Sequence, residues 1–189
     1  MTSSVLERLD WRRQVAALYD GVRAELYPHV AHAGWIAVRD RLYAEHVCSP
    51  ITDRDTFTGL EVADYDPDWR VLARLEPADP QRITVPTGTG GFLPVERIGV
   101  ARTPWGTLDV WELLSYGGGL WIPVGDRYLY DTVQGADLGT TADGELVLDL
   151  NFLYLPVSAH DPRLDCPIAP AGNRLPVEVP VGERLVYRR

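Results

Sequence analysis

The hydrophobic period of this sequence changes once, and that change restricts the fold more than any other feature. Before about residue 45 apolar side chains recur at helical spacing; from Leu60 onward they alternate. Val5, Leu9, Val15, Leu18, Val22 and Leu26 mark a first helix. Ser4 and Glu7 stand at capping-box spacing before it, and Pro28 stops it. A second helix is predicted from about His29 to Glu45, with Trp35, Val38 and Leu42 on one face, ended by Cys48-Ser49-Pro50. The polar stretch from Ile51 to Thr58 reads as a loop.

Beyond it, Trp69, Val71, Ala73 and Leu75 alternate with Arg70, Leu72, Arg74 and Glu76, the pattern of a half-buried strand. Further strands are predicted at Arg82–Val85, Phe92–Ala101, Thr107–Leu114, Leu120–Val124, Arg127–Thr132, Glu145–Leu155 and Val177–Val181. Turn residues separate them, among them Thr103-Pro104-Trp105-Gly106, Gly125-Asp126 and Asp143-Gly144. Short, closely spaced strands without intervening helices favour an antiparallel sheet. The predicted fold is therefore α+β: an N-terminal helical pair packed on a curled antiparallel β-sheet, roll-like or barrel-like. With 189 residues, a single domain is expected over 1–189, as a helical arm (1–50) and a β-rich body (60–189).

Composition narrows the function classes. Eighteen basic residues against 27 acidic ones give a formal charge of −9. With no basic cluster, that balance argues against nucleic acid and anionic membranes. No apolar run reaches membrane-spanning length, and the opening MTSSVLERLDWRRQ is too polar for a signal peptide, so a cytoplasmic location is expected. Every basic residue is Arg and none is Lys, a bias that suggests a high-GC bacterial genome. Cys48 and Cys166 are too few for a disulfide framework. His46-x-Cys48, His29-x-x-His32, His160 and Cys166 lack the spacing of a metal site, so neither metal nor cofactor is expected. Gly117-Gly118-Gly119 precedes a strand and lacks the Lys-Ser/Thr of a phosphate loop; a sharp bend or close backbone approach is the better reading.

Two strands carry polar groups among apolar ones. In Glu145–Leu155, Leu146, Leu148, Leu150, Phe152 and Tyr154 form a core face, while Asp149 and Asn151 share the other face with Val147, Leu153 and Leu155. That face either lines a cleft or is the wet side of the sheet. In Thr107–Leu114, Glu112 shares a face with Leu108, Val110 and Leu114, where burial raises a carboxyl toward acid–base use unless an Arg pairs with it. The reading is a small-molecule enzyme, of bacterial secondary metabolism, with Asp149 and Glu112 as proton-transfer groups. Asn151 would orient the substrate, and Trp111, Trp121 and Tyr128 would wall the pocket. The alternative is a non-catalytic small-molecule-binding or accessory protein. A structural reading makes Asp149, Asn151, Asn173, Arg174 and Glu183 a hydrogen-bonded brace, and is preferred for the last three. The partner is a small molecule, with nucleic acid and membrane excluded and the oligomeric state open, a homodimer included.

The C-terminal half carries a family resemblance. LDVWELLSYGGGLWIPV, RYLYDTVQGADLG, LVLDLNFLYLP and DCPIAPAGNRLPVEVPVGER resemble the bacterial family known as domain of unknown function 1684. Upstream, Trp35, Arg39-Asp40, His46, Ser49-Pro50 and FTGLEVADYDPDWRV resemble its shorter actinobacterial branch. The resemblance implies a shared β-rich fold and carries no activity with it. The chain departs from the family pattern in three places. Gly125-Asp126 replaces a longer polar insertion, with Gly first as a type II′ hairpin requires. Ser158 stands where the family has a cysteine, and His160 where it has an aromatic residue.

Overall fold

The computed structural model describes residues 4–185. Helix α1 (Val5–Ala24) begins with the expected capping box: the Ser4 hydroxyl accepts from the Glu7 N–H, and the Glu7 carboxylate accepts from the Ser4 N–H. Helix α2 spans Pro28–Glu45. Pro28 both ends the first pattern and opens the second helix, because the first helical position needs no N–H donor. No helix among the described residues is long and apolar enough to cross a membrane.

Eight strands follow: β1 (Arg70–Ala73), β2 (Leu75–Glu76), β3 (Gln81–Pro86), β4 (Phe92–Thr103), β5 (Gly106–Leu113), β6 (Leu120–Val124), β7 (Arg127–Asp131) and β8 (Leu146–Asp149). They form an antiparallel six-stranded sheet in the order β2-β4-β5-β6-β7, with β3 also on β4, and a separate β1–β8 pair. The main sheet does not close into a barrel; its β7 edge is extended by a bridge between Tyr128 and Tyr154. Gly125, at φ 66°, makes the two-residue β6–β7 turn. Gly119 lies so close to the chain after β7 that a Cβ there would meet Val133 at 2.4 Å, the close approach expected of the glycine run. Both helices and the sheet feed one buried cluster that includes Trp35, Leu108, Trp111, Trp121 and Leu148.

Two predicted strands are corrected. Glu145–Leu155 is strand only to Asp149, because the Asp149 carboxylate accepts from the Asn151 N–H at 3.1 Å and starts a 3₁₀ turn over Leu150–Phe152. Val177–Val181 is irregular. Pro176 just before it and Pro180 within it lack N–H donors, and the Arg127 guanidinium serves the Val179 and Val181 carbonyls in place of a neighbouring strand.

Candidate functional site

The residues singled out in the sequence are dispersed. Glu112 is exposed on β5: the face it shares with Leu108 and Val110 runs out of cover at that end of the strand, where it sits opposite Glu96. It borders neither of the clefts described below. Trp111 is buried and its indole N–H donates to Asn173 Oδ1 at 2.8 Å. Trp121 is buried behind Tyr128, edge to face at 5.5 Å. Only Tyr128 lines an aromatic cleft.

Asp149 and Asn151 are fully buried, because the chain leaves the strand between them. Asp149 accepts from the Asn151 backbone and side-chain N–H groups and from the Tyr65 hydroxyl, and lies 3.6 Å from its cross-strand partner Arg70. Burial raises its carboxyl, with the bonds from Asn151 and Tyr65 and the Arg70 charge working the other way. Asn151 pairs with the backbone of Asp66 in both directions at 2.8 Å, and its own carbonyl meets His32 Nε2. Asp149 borders a cleft of about 180 Å³ beside the α1–α2 corner, together with Arg23, Arg70 and Gly139. Its oxygens are already occupied, so the pair acts as a clamp between β8, the 65–66 segment and α2. Asn173 and Glu183 are clamps of the same kind, whereas Arg174 is exposed.

A second cleft, of about 130 Å³, is lined by four tyrosines together with Arg39 and Asp131. Its floor comes from α2, where Trp35, Arg39 and Tyr43 fall four residues apart and so share one face. The Arg39 guanidinium carbon lies 4.8, 5.0 and 5.2 Å from the ring centres of Trp35, Tyr43 and Tyr154. Its Nη2 donates to Glu183 Oε2 at 2.6 Å. Glu183 also meets His160 Nε2 and the Leu155 N–H, each at 3.0 Å. Burial alone would raise the Glu183 carboxyl; Arg39, His160 and the Leu155 N–H outweigh it and hold the group below its ordinary range.

Tyr19 and Arg39 border this cleft, but the Tyr19 hydroxyl and Arg39 Nε themselves are buried behind its surface. The Trp35 indole N–H lies within reach of the Tyr19 hydroxyl and favours its ionised form, while Arg39 Nε has no hydrogen-bond partner among the described residues. Burial pushes the Tyr19 and Tyr43 phenols up to about 12 and those of Tyr128 and Tyr154 higher, so all stay protonated at neutral pH.

Asp131 borders the same cleft. It is the last residue of β7, 6% exposed, and the turn after it presses Gly135 against the backbone of α1 at Ala16. One carboxylate oxygen accepts from the Gln134 N–H at 3.2 Å, and no Arg or His among the described residues lies within ion-pair distance. Burial pushes this carboxyl up to about 6, against the Gln134 and Val133 N–H groups and the more distant Arg12. A raised carboxyl means that the folded protein holds its proton more tightly than the unfolded chain. Stability therefore falls as pH rises from about 4 to about 6. Asp131→Asn keeps the acceptor oxygen and removes that fall. The variant should gain on the order of 2–3 kcal/mol over the wild type between these values and hold the gain above them. Urea unfolding at pH 4 and pH 7.5 checks this; equal differences at both would refute it.

Arg39, Tyr43, Tyr19, Asp131 and Tyr154 were not marked as site residues in the sequence. The available signal was the cation at the centre of an aromatic stripe, Trp35-x-x-x-Arg39-x-x-x-Tyr43. Among the described residues no group of three or more His, Cys, Asp or Glu side chains is arranged to hold a metal ion.

A family model described as protein of unknown function (DUF1684) matches residues 55–184. The chain also resembles the solution NMR structure of an uncharacterized protein of Haloarcula marismortui. That likeness covers 98% of this chain and 100% of the other at 24% identity and a TM-score of 0.55, a likeness of fold. No curated protein matches the sequence.

Proposed function

The chain belongs to the DUF1684 family, and on that premise we propose that it is a small-molecule-binding protein whose ligand occupies the tyrosine-lined cleft. One observation carries the reading: four tyrosines, Tyr19, Tyr43, Tyr128 and Tyr154, gather with Arg39 and Asp131 around one small cavity. Ligand sites are apolar clefts with a few polar groups in them. About 130 Å³ suits a single ring, since an apolar cavity of roughly 150 Å³ takes up benzene. Asp149 and Glu112 do not carry an acid–base reading forward: one is bonded on every side and the other faces water. The residues shared with the shorter actinobacterial branch support a place in it, and the polar opening of the chain supports a cytoplasmic location.

The test is ligand-observed NMR with ring-sized carbonyl compounds: cyclohexanone, a six-membered lactam and benzamide. At least one should bind, and Gln134→Trp, at an exposed position bordering the cleft, should weaken it roughly five- to tenfold while leaving stability within about 0.5 kcal/mol of the wild type. Binding by none of them, or equal binding to wild type and variant, would overturn the reading.

A further inference from the structure

We propose that the guest of this cleft is a ring bearing an amide, whose N–H donates to the Asp131 carboxylate while its carbonyl oxygen accepts from the Tyr154 hydroxyl. The assignment rests on the cleft being a binding site and names the chemistry of the ligand that fills it.

Two polar groups stand in the wall with bonding capacity left over. Tyr154 is 9% exposed, and its hydroxyl has no hydrogen-bond partner among the described residues. Unlike the Tyr19 hydroxyl it is not cut off from the surface, and the surface Tyr154 keeps is in this cleft. Asp131 receives only backbone N–H groups of the turn that follows it, from Val133 and Gln134. A carboxylate has about four acceptor positions, so roughly half remain. The bridge between Tyr128 and Tyr154 lays the Tyr154 ring against β7, the two rings 5.9 Å apart, and Asp131 ends that strand. A cavity of about 130 Å³ holds one ring, so the groups on its wall meet the same guest.

The two groups ask for opposite partners. A phenol that keeps its proton needs an acceptor, and a carboxylate needs a donor. With its carboxyl pushed up to about 6, Asp131 is ionised at neutral pH and accepts as an anion, which strengthens the bond. Arg39 stands on the same wall: its Nη2 is held by Glu183 at 2.6 Å, and its Nη1 bonds nothing among the described residues. A guest that is only a cation would satisfy Asp131 and meet the Arg39 charge. A guest that is only a carbonyl would leave Asp131 bare. An amide offers the N–H and the C=O from one neutral group, and the rings of Tyr43, Tyr128 and Tyr154 cover the apolar remainder.

The test measures dissociation constants by ligand-observed NMR at neutral pH, with the full chain and two isosteric pairs. These are the six-membered lactam against cyclohexanone, and benzamide against acetophenone. Each pair keeps the carbonyl and exchanges N–H for C–H. In at least one pair the amide should bind about tenfold or more tightly than its ketone. Asp131→Asn should cut that preference to about threefold or less and leave the ketone nearly unchanged, since only the amide uses the carboxylate. Tyr154→Phe should weaken the amide roughly five- to tenfold. Unfolding curves show whether the variants are folded, and the wild-type preference within each pair needs no variant at all. Equal affinity within both pairs overturns the assignment and leaves the binding reading intact. So does a preference that folded Asp131→Asn retains in full, or undiminished amide binding by folded Tyr154→Phe. A panel in which nothing binds removes both.

Discussion

Replacing Arg39 by Met should lower the free energy of unfolding by about 3–5 kcal/mol at neutral pH, the usual cost of leaving one member of a buried ion pair alone. Both side chains are buried, and Glu183 draws three donors, from Arg39, His160 and Leu155, into the interior. Methionine keeps most of the volume over the Trp35, Tyr43 and Tyr154 rings, so the loss measures the orphaned carboxylate more than a cavity. The sign with pH separates the two. The folded protein holds Glu183 below its ordinary value of 4.5, so this part of the stability is present at neutral pH and is lost as pH falls through that lowered value. In the variant the carboxylate has lost its main cation, and acid relieves the burden by protonating it. The gap between wild type and variant should therefore shrink at low pH. A second replacement, Glu183→Gln, made on Arg39→Met should recover part of the loss. A neutral-pH loss below about 1 kcal/mol would mean that water reaches the pair.

Asn173→Ala should cost about 4 kcal/mol. The amide accepts from Trp111 Nε1 and donates to the carbonyls of Asp109 and Pro123, at 2.8, 2.8 and 3.0 Å. Removing it takes the partner from a buried donor, a buried acceptor and a part-buried one, at roughly 1–3 kcal/mol for each buried group before relaxation. The bonds join β5, β6 and the 170–174 segment, whose Asn173 carbonyl also receives the Gly125 N–H at 2.8 Å. The loss should appear in the urea midpoint and as faster hydrogen exchange at Gly125, at the far end of β6 from Trp111. A variant that loses midpoint stability but keeps Gly125 protected would show that Asn173 fills space and does not hold the segment down.

The fold was legible in the sequence to the extent that its signals are local. Ser4 and Glu7 specify a helix start from within one turn, and Gly125-Asp126 specifies a hairpin within two residues. Alternation failed where a polar side chain competed with the ladder. Asp149 turned its carboxylate onto its own backbone, so Asp149 and Asn151 are buried along with most of their apolar neighbours on both faces, Val147 only in part. A short Asp two residues before Asn is a known competitor of strand geometry, and that signal was present in the chain. For Glu112 the alternation was right, but the extent of cover over β5 is a property of other segments.

The sequence alone determined what depends on neighbours along the chain: two amphipathic helices, a series of short antiparallel strands, their turns, and a class of fold that can enclose them. The tertiary structure decided which polar groups are bonded and which are left open. Arg39 and Glu183 are separated by 144 residues, and Tyr19 shares its cleft with Tyr154 from the far end of the chain. Whether a buried donor finds a partner is settled by packing across such distances, and no period in the sequence records it. That is why Asp149 belongs to a brace, while Asp131 is buried with no ion-pair partner among the described residues.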